Sequence, residues 1–169
     1  MEAKTLIIGF GNAYCHDDGV ALYVINELRR LRGIRELPPD EDGLDGLRGQ
    51  FDSIVVHQLV PEIVPVVVDY QLIIFVDAHL GNIPDDVRVV RVEEEDRFHA
   101  VTHQMSPGMI LSLARKMKHG GLSGYLVSVR GENFDFGLGL SEDCKLCAKV
   151  AVQKILDLVH SSVQESQSV

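Results

Sequence analysis

The sequence lacks the features that would place the chain at a membrane or on a nucleic acid. It has no apolar run near the ~20 residues of a membrane-spanning helix, and its first predicted strand begins at Thr5, which leaves no room for a signal peptide. No stretch is rich in lysine or arginine, and the net charge is −9 at pH 7, whereas nucleic-acid binding requires basic side chains that neutralise phosphates. We therefore expect a cytoplasmic monomer that binds neither membrane nor nucleic acid. The acidic net charge favours a neutral or basic protein as its partner.

Cysteine is also scarce. The three cysteines, Cys15, Cys144 and Cys147, cannot all pair, which predicts reduced thiols. Cys144 and Cys147 form a Cys-x-x-Cys motif, but a zinc ribbon needs a second such pair and a thioredoxin site needs the motif at a strand-to-helix turn. Because this motif lies within the last predicted helix, we interpret it as two small residues that pack that helix.

What the sequence does contain is an alternation of strand and helix patterns. Apolar runs predict strands over residues 5–8, 53–57, 71–76, 87–92 and 125–129, and helices are predicted to begin near Val20, Pro61, Pro107 and Glu142. This order predicts an α/β fold: a single three-layer α/β/α domain around a mostly parallel five-stranded sheet, with the first and third strands adjacent. We assign residues 1–160 to this domain and residues 161–169 to a polar tail that frays.

The turn after the first strand carries the most informative residues. Gly9 and Gly11 permit a tight turn, and Asp17 and Asp18 precede the first helix, where their side chains could cap it. A dinucleotide-binding turn leaves its helix start free for pyrophosphate. Two carboxylates there repel phosphate and attract a cation, which weakens the nucleotide interpretation.

Three side chains are predicted to meet at one edge of the sheet. Asp18 follows the first strand, Asp77 follows the third, and His103 lies in the loop before the third main helix. Carboxyl ends of parallel strands share an edge, and ligands bind there. Taken singly, each residue has a simpler explanation: Asp18 as a helix cap, Asp77 as an acid at a strand end, and His103 as a surface loop residue. Together, two carboxylates and an imidazole predict a site for a divalent metal such as nickel or zinc.

An ordered set of motifs resembles the [NiFe]-hydrogenase maturation endopeptidase family. The resemblance spans about residues 5 to 155 and rests on residues 9–12 (Gly-Phe-Gly-Asn), 17–19 (Asp-Asp-Gly), 75–78 (Phe-Val-Asp-Ala), His103, 129–137 and 140–141. The family often has a further glycine where this chain has Ala21, a change that favours the helix and leaves the site intact.

The resemblance implies an endopeptidase that removes the carboxyl-terminal extension of a hydrogenase large-subunit precursor after nickel insertion. The metal-contacting and catalytic positions of the family fall on Asp18, Asp77 and His103. Nickel is then supplied by the precursor and used to recognise it, with zinc or another divalent metal as a possible substitute. Two chemistries stay open: a metal that polarises the scissile carbonyl or activates water, or a carboxylate, Asp18 or Asp77, that acts as general base. Asp17 is either a second acid behind this site or a helix cap, and the cap is the simpler interpretation.

Three alternatives remain beside this interpretation. Cys15 and His16 lie in the same turn and could form a thiol nucleophile with a base, although sequential neighbours rarely face each other. His79, close to Asp77, could contact substrate, but we interpret it as an exposed loop histidine. The rival function is a non-enzymatic nickel- or nucleotide-binding chaperone on the same scaffold, since a fold alone does not determine function.

Overall fold

The computed structural model describes residues 3–95, 104–118 and 120–166. Five strands form one sheet: β1 (Thr5–Phe10), β2 (Phe51–Val56), β3 (Leu72–His79), β4 (Val87–Arg91) and β5 (Ser123–Arg130). Their order is β2-β1-β3-β5-β4, and every neighbouring pair is parallel except β4 with β5. The predicted mostly parallel five-stranded sheet is therefore confirmed, as is the placement of β1 between β2 and β3.

Four helices cover both faces of the sheet: α1 (Val20–Leu31), α2 (Val64–Val67), α3 (Pro107–Met117) and α4 (Glu142–Ser166). Ile74 and Val76 of β3 join a core shared with α1 and α4, whereas Ile73 and Phe75 join a second core shared with α2 and α3. Strand β3 is thus buried on both faces, which explains its continuous apolar sequence. This arrangement confirms the three-layer α/β/α architecture.

The helix ends partly follow the predicted signals. Gly33, with φ 67°, donates its N–H to the carbonyl of Arg30 just beyond α1, as expected for a glycine that ends a helix. Pro65 lies in α2, which has only four residues and is preceded by a short 3-10 turn over Pro61–Ile63. Helix α4 continues past His160 to Ser166, into the segment that we assigned to a polar tail, through residues that include no glycine or proline.

Two strands are longer than their apolar runs. Strand β1 continues through Gly9 to Phe10, and β3 continues through Asp77 to His79. Pairing with neighbouring strands extends them: Gly9 is in register with Val76, and Asp77 with Ser128. Asp77 therefore lies in the paired part of β3, near its carboxyl end, and not in the loop beyond the strand. Within the described part of the chain, no helix has the length and apolar character that crossing a membrane demands.

Candidate active site

The turn between β1 and α1 holds Asp18 through the backbone. Gly11 has φ 142°, and a Cβ on it would lie 2.3 Å from the Asp18 carbonyl oxygen, so only glycine fits this close approach. The Asn12 N–H donates to Asp18 Oδ2 over 2.7 Å. No side chain caps α1, whose N-cap is Gly19. Asp18 is therefore not the helix cap that its position in the sequence could suggest, and its other carboxylate oxygen has no described hydrogen-bond donor.

Asp77 lies near the carboxyl end of β3, the strand next to β1. The Ala78 N–H donates to its Oδ1 over 2.8 Å. The pKa of Asp77 is raised to about 7, chiefly by burial and also by the negative charge of Asp18, against the opposing effect of the Ala78 hydrogen bond. Two carboxylates thus share one edge of the sheet, and a bound cation would relieve their repulsion.

The third predicted ligand, His103, lies outside the described residues. Gln104, the residue after it, donates its side-chain amide to Gln58 over 3.2 Å, and the Met105 N–H donates to the Leu59 carbonyl over 3.0 Å. This anchors the start of α3 beside the loop that follows β2. Over residues 3–95, 104–118 and 120–166, no three histidine, cysteine or acidic side chains form a group suited to a metal ion. The described part of the chain supplies two carboxylate donors and not a complete ligand set.

Asp17 has a role that the sequence did not reveal. Its side chain is 0% exposed and accepts hydrogen bonds from the backbone N–H groups of Glu132 (2.8 Å), Asn133 (3.0 Å) and Ser141 (2.7 Å) and from the Ser141 hydroxyl (2.8 Å). Burial by itself would raise the pKa of Asp17, but these hydrogen bonds together hold that pKa below its ordinary value. The interpretation of Asp17 as the cap of α1 is therefore wrong. Asp17 ties the β1–α1 turn to the loop between β5 and α4. The feature of the sequence that could have indicated this role is the glycine-rich loop itself, because its backbone N–H groups need acceptors.

His79 is not the exposed loop residue that we expected. It is the last residue of β3, only 8% exposed, and its Nε2 lies 2.9 Å from the Asp85 carbonyl oxygen. Its Nδ1 is buried without a hydrogen-bond partner among the described residues. His79 thus packs under the β3–β4 loop, because pairing with β5 draws it into the sheet.

Cys15 and Cys144 have contacts that suit a structural role for their thiols. Cys15 Sγ accepts from the Asn12 side-chain amide over 3.3 Å, while the ring of His16 contacts the Gly139 carbonyl oxygen at 3.0 Å. Each of these neighbours therefore binds a different partner, which argues against a thiol–imidazole nucleophile. Cys144 lies in the first turn of α4 and is buried in the core, as the packing interpretation predicted, and burial raises the pKa of its thiol to about 12.

Comparison with known proteins identifies the class of this fold. No family model matches the chain, and no curated protein sequence matches it. Solved structures do. The hydrogenase maturating endopeptidase HybD from Escherichia coli superimposes with a TM-score of 0.66 at 18% identity, over 94% of this chain and 93% of that one. The [NiFe] hydrogenase maturation protease HybD from Thermococcus kodakarensis gives 0.63 at 17% identity, over 92% and 99%. The hydrogenase 2 maturation peptidase from Thaumarchaeota archaeon SCGC_AB-539-E09 gives 0.59 at 18% identity, over 92% and 97%.

The chain therefore has the α/β fold of hydrogenase maturation endopeptidases across almost its whole length. The resemblance drawn from the sequence motifs is confirmed at this level. At these identities the likeness establishes the fold, and activity has to be argued from the site.

Proposed function

We propose that this protein is an endopeptidase that removes the carboxyl-terminal extension of a [NiFe]-hydrogenase large-subunit precursor after nickel insertion. The observation that carries the proposal is the pair of carboxylates, Asp18 and Asp77, at the carboxyl edge of β1 and β3 in a chain with this fold. A protein substrate also fits the expectation that the acidic chain binds a neutral or basic protein.

The two carboxylates fit a divalent cation that arrives with the substrate. Oxygen ligands suit such an ion, and neither carboxylate has a cationic partner among the described ion pairs. We propose that His103 supplies a third ligand, and the anchoring of Gln104 beside the β2 loop favours this. In this proposal nickel belongs to the precursor, and Asp18, Asp77 and His103 recognise it there.

The chain also offers a general base. A carboxylate whose pKa lies near 7 can take a proton from an attacking water at neutral pH more effectively than an ordinary one. We propose that one of the two carboxylates removes this proton: Asp77, whose pKa burial raises in the metal-free chain, or Asp18, which the backbone hydrogen bond from Asn12 holds in position. The proton then passes to the amine of the departing peptide.

A cleavage assay tests the proposal. Each hydrogenase large-subunit precursor of the source organism is incubated with the purified protein in its nickel-loaded and its nickel-free form. The masses of the products are measured by mass spectrometry. We expect a short carboxyl-terminal peptide to leave only the nickel-loaded form, and Asp77→Asn to abolish this release while the precursor still binds. Asp69→Asn, a change at an exposed carboxylate that precedes the amino end of β3, is the matched control and should cleave normally. Tight binding of nickel or precursor without any cleavage would instead identify a chaperone.

A further inference from the structure

The loop between β5 and α4 carries large apolar side chains on the surface. Phe136 is 88% exposed and Leu138 is 64% exposed. Leu138 and Leu140 line a groove of about 380 Å³ together with Leu22 and Tyr23 of α1. Aromatic and large aliphatic side chains around a depression are typical of sites that bind another protein. We call this surface the α1 groove.

The α1 groove begins beside the candidate active site. His16 and Gly19 line it, and both belong to the short 3-10 turn over His16–Gly19 that also contains Asp18. A polypeptide that lies in the groove therefore ends beside the turn that carries Asp18. This continuity distinguishes the α1 groove from the exposed apolar residue Met117, which ends α3 on the other face of the sheet.

The wall of the groove is held rigid by contacts with the turn. Gly137 has φ 153°, and a Cβ on it would lie 2.2 Å from His16 Nε2. The His16 N–H donates to the Gly137 carbonyl over 2.9 Å, and the Gly137 N–H donates to the Tyr14 carbonyl over 2.8 Å. Asp17 holds both ends of the same loop. Leu138 is thus presented by a loop that is already ordered, which lowers the entropy cost of binding.

We propose that the α1 groove docks an apolar segment of the protein substrate, with a basic side chain beside it, and so guides the scissile bond to Asp18 and Asp77. This inference rests on the proposed function. The charge of the groove favours a basic neighbour through Glu36. Of the other charged side chains that line it, Glu27 is paired with Arg30 at 2.5 Å and Lys145 with Glu142 at 2.8 Å, so Glu36 carries the charge that no described ion pair offsets. The net charge of −9 acts in the same direction over longer distances.

Binding and cleavage measurements on one substitution and one matched control test the docking. Leu138→Glu places a charge on the wall of the groove, and Met117→Glu does the same at a residue of similar exposure, 62%, away from it. Binding is measured by calorimetry in the Asp77→Asn background, with each nickel-loaded large-subunit precursor of the source organism as the probe. We expect Leu138→Glu to weaken binding about tenfold or more and, with Asp77 restored, to raise KM more than it lowers kcat. Met117→Glu should change neither, and thermal melting should confirm that both variants fold.

The outcomes separate this inference from the proposed function. If the wild type binds a precursor through Leu138 but never cleaves it, the proposed function fails and the docking surface stands. If Leu138→Glu binds and cleaves like the wild type, or if no precursor binds at all, the docking proposal is overturned. It is equally overturned if sedimentation shows a dimer of the wild type that Leu138→Glu dissociates, because a second copy would then cover the groove.

Discussion

Replacing Asp77 by asparagine should stabilise the protein at neutral and higher pH. In the native state burial raises the pKa of Asp77 from its ordinary value of 3.8 to about 7. The folded protein therefore binds the Asp77 proton more tightly than the unfolded chain does. The contribution of this proton to the free energy of unfolding is fully present below pH 3.8 and is lost as the pH rises towards 7. Asparagine keeps an oxygen that can accept a hydrogen bond from the Ala78 N–H, but it carries no charge. The variant therefore does not lose the part of the unfolding free energy that the wild type loses when Asp77 ionises.

The size of the effect follows from the interval between the two pKa values. An interval from 3.8 to about 7 corresponds to about 4 kcal/mol of unfolding free energy if all of it is realised. Asp77 is partly exposed, and water reduces the penalty on its charge. We therefore expect the stability of Asp77→Asn relative to the wild type to increase by about 2 kcal/mol between about pH 4 and about pH 8.

Urea unfolding followed by circular dichroism measures this difference directly. The wild type, Asp77→Asn and the exposed control Asp40→Asn are unfolded at both pH values, so that titration of all other groups cancels in each comparison. The control should show no pH-dependent difference. If Asp77→Asn gains no stability with pH, or becomes less stable than the wild type at the higher pH, then the carboxyl of Asp77 is not held in the environment described here and the reasoning fails.

Further predictions concern the contacts around the site. Gly137→Ala should destabilise the fold by at least about 2 kcal/mol, because its Cβ would meet the ring of His16, while Gly81→Ala, whose Cβ would meet nothing within 4 Å, should be nearly neutral in the same urea titration. Asp17→Asn should cost about 3 kcal/mol, since an amide cannot accept all the backbone donors that the carboxylate serves; its loss of stability should shrink as the pH falls and the wild-type carboxylate is protonated. A loss for Asp17→Asn that does not depend on pH would contradict the assigned charge. Cys144 should resist iodoacetamide at about pH 8 in the native protein and react after unfolding in urea, as peptide mass spectrometry would show; rapid labelling of the native thiol would contradict its burial and raised pKa.

Much of the fold was predictable because its signals are local. The apolar run before Asp77 can be satisfied only by a strand buried on both faces, and the alternation of strands and helices leaves few arrangements other than a parallel sheet with two covered faces. The boundaries were less predictable. Strand β3 gained Asp77, Ala78 and His79 from pairing with β5, and a strand partner distant in sequence leaves no periodic pattern in the strand that it extends.

The sequence by itself determined the order of the elements, the position of β1 between β2 and β3, and the placement of Asp18 and Asp77 at one edge, because parallel strands bring their carboxyl ends together. Only the tertiary structure decided what Asp17 does. It and its partner Ser141 are 124 positions apart, and whether a carboxylate caps the next helix or binds a distant loop depends on which backbone donors the finished fold brings within reach. The burial of His79 and the contact of His16 with Gly139 were decided in the same way, by neighbours that neither periodicity nor spacing along the chain records.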